Sequence, residues 1–291
     1  MKTTVLDIDQ FKTTRLLNNF YVNRFSNHIE TNSSIIGTPH SHNFYLCVLF
    51  TKGTGTHEID FSTYDIHPGK IFFLKPGQTH FWKFETAPEG YIFFHSKAFY
   101  NMHYLTHKLS AFPFYYSYQN PPFLDLSDDY KAIEVKYQNL YNEYLDSKPF
   151  RELKIVNTIS DIYMDLTRKY AVDIDIANYS QSGYLKILEK LENFIDLHYD
   201  KEKLPKFYAN KLNITTKHLN RVVKETVNKT TNQLITERVI IEAKRLIVHS
   251  NSSLFAIADT LGFKDYAYFS RYFKNRVKVT PLEFRKRYAS V

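Results

Sequence analysis

The sequence predicts an α+β multidomain chain: an antiparallel β domain carrying a pair of helices, then an all-α domain with two helix-turn-helix units. Three observations predict it. Residues 1 to about 120 hold short apolar runs punctuated by glycine and proline. After Asp128 the apolar spacing changes to that of helices. Charge marks the domain division, further along than that change of period: residues 184–291 carry 21 Lys and Arg against 11 Asp and Glu, net +10, leaving 17 against 19, net −2, for residues 1–183.

At 291 residues the chain has room for two cores. A basic segment beside a near-neutral one implies a polyanionic partner for the basic part alone. The single cysteine, Cys47, excludes an internal disulfide and a cysteine-built zinc site, and it sits in an apolar run as a small buried residue. Met1–Gln10 does not read as a signal peptide, and no apolar run approaches the roughly 18 residues of a membrane span, so a cytoplasmic protein is expected.

The strands follow from punctuation. Phe44–Phe50 is a continuous apolar run, and Lys52-Gly53-Thr54-Gly55 turns the chain. His57–Phe61 alternates. Pro68-Gly69 leads into Ile71–Leu74, Pro76-Gly77 into His80–Phe84, and Tyr91–Phe94 forms a further strand. Such short strands suit a small antiparallel barrel or sandwich.

Asp129–Leu145 and Arg151–Tyr170 then read as helices separated by Ser147-Lys148-Pro149, so they should lie antiparallel. Ile155, Ile159, Ile162 and Leu166 share one face. Residues 171–183 have no strong period and are the expected linker between a domain at 1–170 (helical pair about 129–170) and one at 184–291.

Two presented helices are expected in that last part. In the first unit, Leu204, Tyr208, Ala209 and Leu212 form a supporting helix and Asn213-Ile214 turns the chain. Thr215 caps a helix over Thr216–Val227, with Lys217, Asn220, Arg221 and Lys224 outward. In the second, Leu254, Ile257, Ala258 and Leu261 make the supporting stripe, and Gly262 stops it. Asp265 caps a helix with Phe269 and Phe273 inward and Ala267, Tyr268, Ser270, Arg271 and Lys274 outward; Thr280-Pro281 opens the closing helix. Gln233–Val248 joins the units as one helix of roughly 24 Å. That length suits two helices set about one DNA turn, roughly 34 Å, apart.

The second unit resembles the AraC/XylS family of bacterial transcription regulators. The residues that carry the resemblance are Ile257-Ala258, Gly262-Phe263, Tyr268-Phe269-Ser270-Arg271, Phe273-Lys274, Thr280-Pro281 and Phe284-Arg285. It implies double-stranded DNA as partner, with base contacts at Lys217, Asn220, Arg221, Ala267, Tyr268 and Arg271. The chemistry agrees: Arg suits a guanine edge and Asn an adenine edge, while Ala267 and Tyr268 suit thymine methyls. Lys224, Lys274, Arg276 and Lys278 would neutralise phosphates. The first unit departs from the family pattern at Val222-Val223, where Leu/Met-Phe is common.

Upstream, Pro39-His40-Ser41-His42, Gly53-x-Gly55 and Pro76-Gly77-Gln78-Thr79-His80 resemble the cupin-like sensor barrel of such regulators. The resemblance implies a small-molecule effector, a sugar or metabolite, with His40, His42, Tyr45, His80, Trp82 and Tyr91 as candidate binding residues; Trp82 matches the position of an aromatic face against ligand. Three histidines can hold a metal, but Leu46 or Cys47 stands where a metal cupin has Glu. The expectation is partly exposed or ligand-facing histidines, no metal, no cofactor and no enzyme activity. The helical pair would form a homodimer through Tyr137, Tyr141, Tyr144, Ile155, Ile159 and Ile162, with RNA polymerase as a further partner of an activator. Two alternatives remain: a cupin metal enzyme with a DNA-binding appendage, and a ligand-independent regulator whose barrel serves only dimerisation.

Overall fold

The computed structural model describes residues 4–11, 17, 19–36, 38–103, 109, 112–116, 120–127, 129–170 and 183–289. The expected linker lies outside these, apart from Gly183. The chain divides into two compact units, meeting near Asp175 and Ile176 in the sequence.

Among its described residues the first unit has ten strands: β1 (Thr4–Leu6), β2 (Phe20–Arg24), β3 (His40–His42), β4 (Tyr45–Lys52), β5 (Gly55–Ile59), β6 (Ser62–Ile66), β7 (Lys70–Leu74), β8 (Thr79–Phe84), β9 (Glu89–His95) and β10 (Phe123–Asp125). They pair as two five-stranded sheets, ordered β1-β3-β8-β5-β6 and β10-β7-β4-β9-β2. All neighbours are antiparallel except β1 with β3. The paired sheets form the β-rich unit that the cupin resemblance implies, as two sheets rather than one closed barrel among the described residues.

Strand parity decides which core each residue joins. Along β4, Leu46, Val48 and Phe50 point into one core, with Phe72, Leu74, Ile92 and Phe94 from the same sheet and Ile59 and Trp82 from the other. Cys47 and Leu49 point the opposite way, into a second core with Phe73, Phe93 and the helical pair α4 (Lys131–Leu145) and α5 (Arg151–Tyr170). This double burial is why β4 reads as unbroken apolar sequence rather than alternation. Three shorter α-helices precede the pair among the described residues: α1 (Phe25–Ile36), α2 (Lys97–His103) and α3 (Pro113–Tyr116). The apolar punctuation of residues 1 to about 120 predicts strands alone, so α1 is a departure from it.

The helical pair meets its sheet through a layer of hydroxyls that are nearly all satisfied internally. Tyr137 Oη lies 2.9 Å from Cys47 Sγ, and Tyr163 Oη lies 2.7 Å from His95 Nε2 and 3.0 Å from Tyr115 Oη. This layer corrects the expected dimer seam. Tyr137, Tyr144, Ile155, Ile159 and Ile162 are buried against the sheet and Tyr141 is half-buried. The apolar side chains left exposed there are Val135, Leu145, Phe150, Leu153 and Met164.

The second unit has seven helices among its described residues: α6 (Gly183–His198), α7 (Pro205–Lys211), α8 (Thr216–Val227), α9 (Thr231–His249), α10 (Leu254–Thr260), α11 (Tyr266–Val277) and α12 (Pro281–Ala289). The central α9 packs against every other helix of the unit. Its buried residues include Leu234, Ile235, Val239, Ile240, Ala243 and Ile247. Arg238 ties it to Asp196 of α6 at 2.7 Å, and Arg285 of α12 closes its end by donating to Ile247 O and Ser252 O, each at 2.9 Å.

The two helix-turn-helix units share one backbone plan, with a single extra residue, Lys264, between the second turn and its helix cap. Asn213 N–H donates to Asn210 O and Ile214 N–H to Ala209 O; Gly262 N–H donates to Asp259 O and Phe263 N–H to Ala258 O. Both turns pass through the left-handed region, at φ 54° for Asn213 and 70° for Gly262. A Cβ on Gly262 would lie 1.8 Å from Asp200 O, so only glycine fits that seat. Beside it, Lys203 Nζ donates to Asp200 O at 2.9 Å and Leu261 O at 2.6 Å, binding the second turn to the loop after α6.

Candidate nucleic-acid interface and buried polar site

Each presented helix begins on a side-chain cap. Thr215 Oγ1 accepts from His218 N–H at 3.1 Å, and Asp265 Oδ1 accepts from Tyr268 N–H at 2.6 Å. Each ends in a left-handed residue, Asn228 or Lys278, before a capping box: Thr230 with Gln233, and Thr280 with Glu283. Inward, Leu219, Val222 and Val223 of α8 and Phe269 and Phe273 of α11 are buried. Val222-Val223 keeps the expected helix phase.

Outward, Lys217, Arg221 and Lys224 on α8 and Ala267, Tyr268, Arg271, Lys274 and Arg276 on α11 are all exposed, Tyr268 at 52%. Arg271 has no hydrogen bond or ion pair among the described residues. Arg221 is held: one Nη2 hydrogen is donated to His218 Nδ1 at 2.9 Å, and its guanidinium stands 6.0 Å from the Tyr184 ring centroid. Ser270 is half-buried, and so is Asn220. Asn220 Oδ1 accepts from the backbone N–H of Thr231 at 3.1 Å. The oxygen that bidentate adenine recognition needs is thus engaged in joining α8 to α9. Sequence reading also passed over His218, which occupies in α8 the place that Tyr268 has in α11.

In the first unit, register brings together four of the six proposed effector residues. His40 lies opposite His80, and His57 opposite Trp82. His40 and His80 have ring centroids 4.4 Å apart, His42 and His80 5.2 Å, and His80 and Trp82 4.8 Å. His57 and His28 join them, neither singled out in the sequence, although His57 shares strand parity with the inward Ile59. The histidines are buried rather than partly exposed. Burial first, then neighbouring histidines, lowers His28 and His42 to about 3 and His57 and His80 well below the usual histidine range. Burial lowers His40 as well. The imidazoles are therefore neutral together.

Tyr45 and Tyr91 do not belong to this site. Both lie on the helix-facing side of their sheet: Tyr45 stacks on His95 at 5.5 Å, and Tyr91 faces Tyr137 at 6.3 Å and Tyr141 at 6.4 Å. Parity again explains it, since they align with Cys47 and Phe93 rather than with Leu46 and Ile92.

Four buried nitrogens in the cluster have no hydrogen-bond partner among the described residues: His42 Nε2, His57 Nδ1, His80 Nε2 and Trp82 Nε1. His42 Nδ1 donates to Phe44 O at 2.7 Å, so its Nε2 is an acceptor. His57 Nε2 and His80 Nδ1 share one hydrogen at 3.0 Å, so of their two outer nitrogens one donates and the other accepts. Trp82 donates. The site thus offers two donors and two acceptors in an otherwise apolar core. Among the described residues, no three His, Cys, Asp or Glu side chains are placed to hold a metal ion.

Comparison with known proteins identifies a module in each unit. Residues 208–287 match the family model described as a helix-turn-helix domain, and residues 31–104 match the AraC-like ligand binding domain. The chain is 25% identical over 260 residues to the HTH-type transcriptional activator RhaS of Mannheimia succiniciproducens, covering 84% of this chain and 88% of that protein. The activator RhaR of the same organism is 24% identical over 261 residues, covering 86% and 87%. Among solved structures, ToxT from Vibrio cholerae is 15% identical with a TM-score of 0.45, covering 92% of this chain and 98% of that one. No described helix is long and apolar enough to cross a membrane. With a ligand-binding unit ahead of a paired helix-turn-helix unit, the chain belongs to the AraC family of DNA-binding transcription regulators.

Proposed function

We propose that α8 and α11 enter two successive major grooves of one duplex, with Arg221 and Arg271 as the principal base contacts. The observation that carries this is the repeated geometry of the heads. Each presents an exposed arginine six residues beyond a side-chain N-cap, on a helix whose other face is buried. Ala267 and Tyr268 offer apolar contact to thymine methyls, and Lys217, Lys224, Lys274 and Arg276 answer phosphates. The 19 residues of α9 span roughly 28 Å, which with the width of the heads suits one DNA turn. Selection from random duplexes gives the site; Arg271→Ala then weakens the selected site and relaxes one base position. Equal loss on selected and random DNA overturns the reading.

The unpartnered nitrogens support a second element, control by a small effector between the sheets at His40, His42, His57, His80 and Trp82. Two donors and two acceptors match hydroxyl groups, which do both; a carboxylate accepts only. The effector class is therefore a neutral polyhydroxylated molecule. Thermal denaturation against neutral polyols and against carboxylates checks this, because a ligand at 100 times its Kd stabilises by about 2.7 kcal/mol. Stabilisation by carboxylates alone would remove the assignment. By similarity to the named activators, the proposal extends to transcription activation with RNA polymerase as partner. A homodimer through the helical pair would use Val135, Leu145, Phe150, Leu153 and Met164; a wild-type chain that sediments as a monomer at high micromolar concentration rules that out.

A further inference from the structure

The first reading arginine does not stand alone. Arg221 donates from Nη2 to His218 Nδ1 at 2.9 Å, which fixes the imidazole hydrogen on Nε2. His218 in turn meets the Tyr184 ring edge-on, centroids 5.7 Å apart and planes at 78°. The Arg221 guanidinium lies 6.0 Å from that same ring, at the outer limit of a cation–π contact. Tyr184 comes from a different helix, the second residue of α6, and α6 packs along α8. An arginine on a helix surface otherwise samples many rotamers, and immobilising it on DNA costs part of the binding energy. Here one hydrogen of the five-donor fork is spent on His218, and the remaining donors stay available for a guanine edge. In α11 the equivalent arginine, Arg271, has no such support among the described residues.

We infer that His218 and Tyr184 are positioning residues that pre-set Arg221 for base reading, and so sharpen sequence specificity at the half-site of the first head. The inference rests on Arg221 as a base contact. It adds that discrimination at the base read by Arg221 depends on two groups that need not touch DNA.

The test uses the full chain and duplex selection, followed by affinities for the selected site, for single-base variants of it and for random DNA. Arg221→Ala erases discrimination at one position of one half-site. His218→Ala and Tyr184→Ala should narrow discrimination at that same position by roughly two- to tenfold, the cost of ordering one long side chain, while affinity for random DNA stays within about a factor of two. His218→Asn, which keeps an acceptor close to Nδ1, and Tyr184→Phe, which keeps the ring, should retain it. In the Arg221→Ala background neither alanine variant should have a further effect. Far-UV circular dichroism identifies any variant that fails to fold; His218 is on the surface of α8, so its variants decide the matter even if Tyr184→Ala does not fold. Unchanged discrimination in His218→Ala, or equal loss on selected and random DNA, overturns the inference while leaving Arg221 as a reader. If Arg221→Ala relaxes no position, the base-reading role falls and the inference with it.

Discussion

The two heads share a backbone plan and differ in what holds it. Six residues past each cap stands an arginine, and five past it stands Asn220 in the first head but Ser270 in the second. The closing helix explains that exchange. Thr231 has a backbone N–H at the first position of α9, which Asn220 Oδ1 accepts; Pro281 at the same place in α12 has none to satisfy. The turns differ in the same spirit. Asn213 bears its left-handed conformation as an asparagine, whereas Gly262 is pressed onto Asp200 O. Residues that look like surface chemistry in one head are thus fastening in the other.

The largest effect expected from this difference is at the turns. Gly262→Ala should cost more than about 2 kcal/mol, because it adds a backbone clash to left-handed strain, while Asn213→Gly should change stability by only a few tenths. Urea denaturation of both variants measures this, and equal costs would erase the distinction. At the arginines, Arg271→Ala and Arg221→Ala should each cost about 1–3 kcal/mol on the selected DNA site, relaxing positions in different half-sites. Relaxation of a single shared position would show that only one head reads bases. Asn220→Ala should destabilise by about 1 kcal/mol by orphaning the Thr231 N–H. Adding Thr231→Pro should recover much of that loss in thermal unfolding, because the orphan donor is gone. The smallest effect is at the helix ends. Lys278→Gly should stabilise by about 0.5–1 kcal/mol, and Asn228→Gly by less, since asparagine tolerates the left-handed region better than lysine.

Local chemistry made the heads legible from sequence: caps, the glycine turn, the Thr-Pro start and the apolar stripes are each set by a few neighbouring residues. Asn220 departs from its expected role because its partner, the Thr231 N–H, lies beyond the helix end, and outward phase alone cannot show such a bond. His218 would have been found by aligning the heads on Thr215 and Asp265, which places it on Tyr268. In the first unit, the aromatic crowding that marked a core also hid its two sides. Tyr45 and Tyr91 were grouped with Trp82 by residue type, although parity sets them with Cys47 and Phe93. Helix α1, FSNHIETNSSII, lacks both a clear apolar period and strong helix formers, so its formation depends on packing rather than propensity. The dimer seam failed for a related reason: a helix face rich in tyrosine and isoleucine is equally suited to a sheet of its own chain.

Lys203 and the seat of Gly262 tie the second turn to the loop after α6, so α9 is not the only member joining the heads. A frame with two ties resists swivelling. If the heads occupy successive grooves as proposed, a duplex whose groove spacing departs from the frame has to deform, at a cost on the order of 1–6 kcal/mol for a bend of 40–90° over 20–30 base pairs. Preference would then extend to base pairs that no side chain touches, favouring flexible pyrimidine–purine steps between the half-sites. Replacing those steps with a stiff A-tract should lower affinity while every direct contact is retained.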